Sequence, residues 1–471
     1  MGEMNQGPIG QFISLSPPVP VSPLYWIFFA PLRSLRLCVN SPSPMPVDVD
    51  SKGKATSSRA DASLSRLAGP GLIVAATGIG AGDVVSATVG GARYGEALLW
   101  AIALGAFFKL VLNESVARFQ LATGLTALES WAAYLPWWVR AYFGTYLVLW
   151  TVAVSAALAN ACGLGISNIT LGAVPQSWGA VAHSLVGCAF VLVGGFRGFE
   201  KTMRVLIGAM FFCIIACAMM TFADPRAFLG GLFVPRIPAG GGAYLLSLIG
   251  GIGGSVTLLS YNYWLREENM VGPEHVGFVR KDLALAYGFT ALFGISVMMI
   301  ASRAFHAAGI PLTDSQAVTR MAEMLGSVVG PVGFYVYSFG FWAAVFASLL
   351  GVWQSVPYLY ADFYALWKNA APSEREELTQ VTSTPYRIAL AFISLAPLPF
   401  AFLGRPIFII VGFTIVGSFF LPFLAATLLW LDRKVPWTSA VPRNNRVTTA
   451  LLVLILALFA LIGAREMMQA F

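Results

Sequence analysis

The chain has 471 residues, of which 57% are hydrophobic and only 11% charged, with a net charge of +7. Soluble domains carry about a quarter charged residues, so this composition excludes a chain that meets water on every side. The Lys and Arg residues sit between apolar segments rather than on one patch, which argues against a nucleic-acid partner and for the lipid bilayer.

In chain order, residues 1–60 are rich in Pro and Ser, with one short apolar patch, Leu24–Leu32, broken by Pro31. The patch is too short to span a bilayer and lacks the small-residue cleavage site of a signal peptide. Disorder is expected there. Met45 precedes a polar stretch leading into the first apolar segment and is an alternative start, which would make residues 1–44 an over-extended reading frame. From Leu67 onward eleven segments of spanning length follow, near 69–91, 97–120, 141–169, 178–195, 199–222, 243–265, 281–305, 329–353, 387–404, 406–431 and 447–463. The expected fold class is all-α and integral to a membrane. Residues 61–435 form two five-span blocks (about 67–222 and 243–431), and residues 436–471 carry an extra helix. With the N-terminus in the cytoplasm, inner loops collect Lys52, Lys54, Arg59, Arg66, Arg197, Lys201, Arg204, Arg280, Lys281, Lys368, Arg375, Arg433, Lys434, Arg443 and Arg446, against a sparser outer set that includes Arg93, Arg226, Arg236, Arg320 and Arg405. The positive-inside rule therefore predicts a plasma (inner) membrane protein with its N-terminus cytoplasmic.

Two segments are poor helices. The first span contains Gly78, Gly80, Gly82, Gly90 and Gly91 around Asp83, and the sixth contains Gly250, Gly251, Gly253 and Gly254. Each Gly costs about 1 kcal/mol against Ala inside a helix. Broken backbone at membrane depth survives only where protein or a watery cavity satisfies it. Because the two segments open blocks of five spans each, the blocks enter the membrane in opposite senses. This is the pattern of an inverted repeat whose broken helices form a midplane substrate site. Close helix packing is the plainer reading of the glycines.

The intramembrane polar residues divide accordingly. Asp83 lies within the first break and suits a hard cation, which takes oxygen ligands; it is also a favoured cap for the half-helix that follows. Glu114 and Arg118, four apart, predict a local ion pair. Lys109 and Asn113 share another face, and Lys109 is a candidate to neutralise Asp83 when the site is empty. Asn160, Ser255, Thr257, Ser260 and Asn262 supply neutral oxygens, although hydroxyls in membrane helices commonly bond their own backbone. Four cysteines (Cys162, Cys188, Cys213, Cys217) fall in apolar runs and read as packing residues. Cys213 and Cys217 share a helix face and could also hold a soft metal. His183 falls in span four, and His275 and His306 in loops or at a span end. No Cys/His cluster, nucleophile elbow or phosphate loop occurs, so neither an enzyme nor a bound cofactor is expected.

Several stretches stand out along the chain: Gly69-Pro70-Gly71, Ala92-Arg93-Tyr94-Gly95 and Leu98-Leu99-Trp100; Ala117-Arg118-Phe119-Gln120-Leu121-Ala122-Thr123-Gly124; Gly195-Phe196-Arg197-Gly198-Phe199-Glu200-Lys201; and Leu421-Pro422-Phe423. Along residues 67–431 they resemble the Nramp divalent-metal transporters, which have the LeuT-type fold. They match that family's first-helix frame, second-helix end, span four–five turn and tenth-helix signature. The functional residues depart from the pattern. The family's first-helix Asp-Pro-Gly-Asn falls on Gly80-Ala81-Gly82-Asp83, and its sixth-helix Met-Pro-His on Leu258-Leu259-Ser260. Its third-helix acidic pair, linked to proton movement, falls on Ala157 and Asn160, and a tenth-helix Gln near Thr414. The resemblance implies secondary transport of a metal cation through an altered, all-oxygen site, with little or no proton coupling. Asp83, Gly80, Ser255, Thr257 and Ser260 are the candidate ligands, supported by Lys109, Asn113, Asn160, Asn262 and Thr414. Loss of sulfur favours Mg²⁺ or Mn²⁺ over iron. A transporter of a small organic solute and a non-transporting membrane sensor are the alternatives.

Overall fold

The computed structural model describes residues 70–310, 317–435 and 443–470. The segment 1–60, with the alternative start at Met45, lies outside the described residues, which are helical with no strand among them.

The first span is a bent pair, α1 (Pro70–Gly78) and α2 (Ala81–Tyr94), meeting at 55°. Pro70 stands in the first turn, where its missing N–H costs nothing. The chain continues through α3 (Leu99–Thr123), α4 (Ala127–Tyr134) and α5 (Trp137–Ile169). Gly124, at φ 73°, ends α3, and Thr126 with Glu129 forms a capping box that starts α4. The 46-residue helix α6 (Gln176–Thr221) is about 69 Å long at 1.5 Å per residue, twice the bilayer core. It breaks at Gly195 (φ 57°, ψ 169°), between the two spans expected at 178–195 and 199–222.

After α7 (Pro225–Phe233) comes the second broken span. Helix α8 (Gly242–Gly251) stops, the chain turns through Ile252–Ser255, a 3₁₀ turn covers Val256–Leu259, and α9 (Ser260–Glu267) follows. The rest comprises α10 (Val276–Ala301), α11 (Ala317–Val329), α12 (Pro331–Trp367), α13 (Pro372–Leu378), α14 (Thr384–Leu395), α15 (Pro406–Ser418), α16 (Phe420–Lys434) and α17 (Arg446–Ala470). The short helices α7 and α11 lie between expected spans. Among the described residues seven helices are long and apolar enough to cross a membrane, eight counting the bent pair as one.

The outer surface agrees with a bilayer. Val148, Leu149, Val186, Leu192, Val205, Phe212 and Met219 are exposed on α5 and α6, a loss in water and none in hydrocarbon. Trp137, Trp138, Trp178 and Trp367 are exposed at helix ends, where indole rings sit at membrane interfaces. The protein is therefore integral to a membrane.

Both breaks lie slightly upstream of their expected positions. The glycine clusters predict unwinding around Ala81–Asp83 and Thr257–Ser260, whereas the first break is at Ile79–Gly80 and the second at Ile252–Ser255. In the first, Asp83 is already helical and reaches back to cap the turn. In the second, Gly253 and Gly254 (φ 82° and 81°) make the turn, in a region costly for any residue with a Cβ.

The halves of the two spans are tied through α10. Buried Asp282 accepts hydrogen bonds from Gly71 N–H (2.7 Å), in the first turn of α1, and from the Tyr261 hydroxyl (2.8 Å) of α9. A methyl on Gly71 would lie 2.7 Å from that carboxyl, so only glycine allows the approach. Asp282→Ala should lower stability by about 1–3 kcal/mol, the cost of stranding buried donors, read as a lower melting temperature of the purified protein; an unchanged melting curve would refute the tie.

Candidate functional site

The two breaks touch. A Cβ on Gly78 would sit 2.7 Å from the carbonyl carbon and oxygen of Gly253, so the backbones meet at a distance only glycine permits. Breaking two helices at one depth frees N–H groups at the start of α2 and carbonyls at the end of α8. Their partners define the site.

Asp83 serves the N–H side. It lies in the first turn of α2 and is buried. Its Oδ2 accepts from Gly80 N–H (2.9 Å) and its Oδ1 from Gly253 N–H (2.5 Å), so one carboxylate bridges the two breaks. It also stands at the positive pole of α2, where an anion is stabilised. Lys109 serves the carbonyl side. It reaches from the unbroken α3, is 0% exposed, and donates through Nζ to Gly250 O (3.0 Å) and to Ile252 O at the C-terminal, negative pole of α8. Lys109 and Asp83 do not form an ion pair within 4 Å; they hold opposite sides of the stretch Gly250–Gly253.

Beside Asp83 lies a cavity of about 20 Å³, space for one or two water-sized particles. Its oxygen-bearing side chains are Thr77, Asp83, Ser255, Thr257, Ser348 and Thr414, and Gly78, Gly80, Gly250, Gly251 and Gly254 bring backbone to its wall. Trp150 and Phe413 close it with aromatic surface. Ser255 Oγ accepts from Trp150 Nε1 (2.8 Å) and Thr414 Oγ1 donates to Val411 O (2.8 Å), which leaves lone pairs on both hydroxyls.

Five residues picked out in the sequence thus line one cavity: Gly80, Asp83, Ser255, Thr257 and Thr414. The other five do not. Ser260, read as a ligand, bonds Ser355 Oγ (2.8 Å) on the far side of the 3₁₀ turn. Asn113 donates to Tyr287 OH (3.0 Å). Asn160 donates to Ala156 O and accepts from Gln176. Asn262 pairs with Gln120. Lys109 stands behind the wall rather than in it. Thr77 and Ser348 were missed. Thr77 bordered the glycine cluster and could have been found; Ser348 lay in a long apolar span without a distinguishing mark. Its hydroxyl donates to Thr77 O (2.7 Å), a carbonyl released by the first break.

Among the described residues no group of three or more His, Cys, Asp or Glu side chains is arranged to hold a metal. Cys213 and Cys217 are buried free thiols without such a third ligand. The cavity offers one carboxylate, hydroxyls and backbone carbonyls, a donor set for a hard cation. Toward the ends of α9 and α12 a network of hydrogen bonds and ion pairs joins the helices. Trp264 Nε1 donates to Gln354 (2.7 Å), and Tyr263 OH (2.8 Å) and Thr126 Oγ1 (2.9 Å) donate to buried Asp362. Glu129 binds Arg266 (2.6 Å) and Arg375 (3.4 Å). The expected Glu114–Arg118 ion pair forms and Arg280 joins it (2.8 Å).

A family model described as natural resistance-associated macrophage protein-like (Nramp) matches residues 71–468. Among curated proteins, the divalent metal cation transporter MntH of Deinococcus radiodurans is 26% identical over 299 residues, 59% of this chain and 65% of that protein. The metal transporter Nramp6.2 of Populus trichocarpa is 26% identical over 178 residues, 37% of this chain and 32% of that protein. The chain thus spans less than two thirds of the length of these relatives. A manganese transporter of Eremococcus coleocola, solved with an aromatic bis-isothiourea compound, superposes with a TM-score of 0.64 at 17% identity, over 86% of this chain and 87% of that one. MhsT, solved with L-phenylalanine, superposes at 0.56 and 20% identity, over 85% and 98%. These likenesses show the fold, which is the LeuT type expected from the sequence.

Gly78→Ala should push the breaks apart, because both atoms its methyl meets are backbone and neither can swing aside. The variant is expected to melt earlier and lose cation uptake. Gly198→Ala, with nothing within 4 Å of the added carbon, is the control and should match wild type.

Proposed function

The chain belongs to the Nramp family, and from that premise we propose that it carries a divalent metal cation across the membrane through the cavity at Asp83. The observation behind this reading is the placement of one carboxylate between two helix breaks, beside a space of about one ion. Asp83 is the charged ligand; Thr257, Ser255 and Thr414 hydroxyls and carbonyls near Gly78 and Gly80 complete the shell. No thioether or imidazole lines the cavity, so nothing in it favours a soft transition metal. Mg²⁺ and Mn²⁺ are the preferred ions. A cavity of about 20 Å³ counts against an organic solute, which needs several times that space. The transporting core is residues 61–435, in the plasma (inner) membrane with the N-terminus cytoplasmic. The protein is a carrier and not an enzyme.

Proton coupling is weak or absent in this reading. Ala157 has nothing to ionise, and Asn160 is a neutral amide bonded on both sides. In liposomes, uptake of Mn²⁺ or Mg²⁺ should be nearly the same with and without an imposed inward proton gradient. Acceleration by that gradient, with acidification of the lumen, would overturn the claim and turn attention to Glu114.

Asp83 can be tested directly. An Asn side chain has one acceptor oxygen, so Asp83→Asn keeps only one of the two N–H contacts and removes the charge. It should fold with a lower melting temperature. Its cation affinity should fall about tenfold to a hundredfold, the equivalent of a lost charge-assisted contact of about 1.5–3 kcal/mol. Asp83→Ala should be less stable still. A folded Asn variant with wild-type affinity would leave Asp83 as a cap only.

A further inference from the structure

A carrier for a single cation faces a problem on its return stroke. With the ion gone, a charged Asp83 is left buried beside a small cavity, and the carbonyls ending α8 keep their partial charges. A buried anion without a counter-charge is strongly disfavoured. The structure holds an answer in Lys109. Its ammonium is fully buried, comes from a helix that is not broken, and donates to Gly250 O and Ile252 O. Asp83 holds the N–H of the next residue, Gly253. The ammonium thus meets the carbonyls a bound cation would seek, one peptide from the carboxylate it would neutralise. Snorkelling does not explain this geometry, since the side chain points to mid-bundle backbone and not to the membrane surface.

We infer that Lys109 is a tethered substitute for the transported cation, which neutralises the empty site and so lets the unloaded carrier reorient. The inference rests on the reading of the protein as a cation carrier. In this scheme Lys109 acts as a fixed cation and not as a proton carrier, so the return stroke requires no proton gradient. Loaded, the ion balances Asp83. Unloaded, Lys109 does so through the shared Gly250–Gly253 stretch, and the bundle can close over the site.

The inference separates two activities of one protein. Exchange of external for internal cation uses only loaded carriers, whereas net uptake needs the empty carrier to return. Full-length protein in liposomes is assayed with radioactive Mn²⁺, once with Mn²⁺ inside (exchange) and once with none (net uptake). Lys109→Met should lower net uptake at least about tenfold more than it lowers exchange. Lys109→Gln, which keeps an N–H donor for Gly250 O without the charge, should show the same split and serves if the Met variant does not assemble. Equal loss of both activities would make Lys109 a structural or ligand residue and overturn the inference, as would net uptake unchanged in both variants. Wild-type vesicles that move neither Mn²⁺ nor Mg²⁺ would overturn the carrier reading itself, and this inference with it.

Discussion

The architecture depends on one constraint: a peptide group buried in a membrane must have a partner. Two helices are interrupted at the same depth, and each interruption releases donors or acceptors that water does not reach. The molecule answers with side chains from several elements. Asp83 takes the N–H groups of Gly80 and Gly253, Lys109 takes the carbonyls of Gly250 and Ile252, and Ser348 takes that of Thr77. The cavity is what remains between these partners. The site is therefore the unfilled part of a backbone-satisfaction scheme and not an addition to a finished scaffold. That is why α3 and α12, which are continuous here, each supply a partner for the backbone of the broken helices.

Much of this was legible beforehand. Clusters such as Gly250-Gly251 and Gly253-Gly254 cannot belong to an ordinary apolar span, and their recurrence five spans apart pointed to a paired break. Asp83 stood out because an acid in hydrocarbon needs a reason. The register of the breaks was not legible. A helix ends where its last free groups find partners, and here those partners lie across the fold: Asp83 ends one break by bonding a residue 170 positions away. Periodicity carries no such information. Ser260 and Asn262 show the converse. Their spacing along the sixth span placed them near the site, but the 3₁₀ turn at Val256–Leu259 rotates both away, toward Ser355 and Gln120. Ser348 was invisible for a simpler reason, since a serine in a long apolar helix bonds its own backbone by default.

Membership in a family and departure from its pattern are both written into the same few positions. The resemblance implies that the frame orienting the spans is kept, while the proposed site carries glycine, hydroxyls and a displaced acid. A donor set can change in this way without moving the helices, because the half-helix poles that create the field at the site belong to the backbone.

The attachment of α1 and α9 to one residue has a kinematic meaning. Gly71 and Tyr261 belong to different halves of the fold, yet both are pinned to the carboxylate of Asp282. While those bonds hold, the two half-helices cannot swing independently. Moving either one away from α10 breaks a hydrogen bond to the same buried carboxylate, so a displacement at one of them is felt by the other.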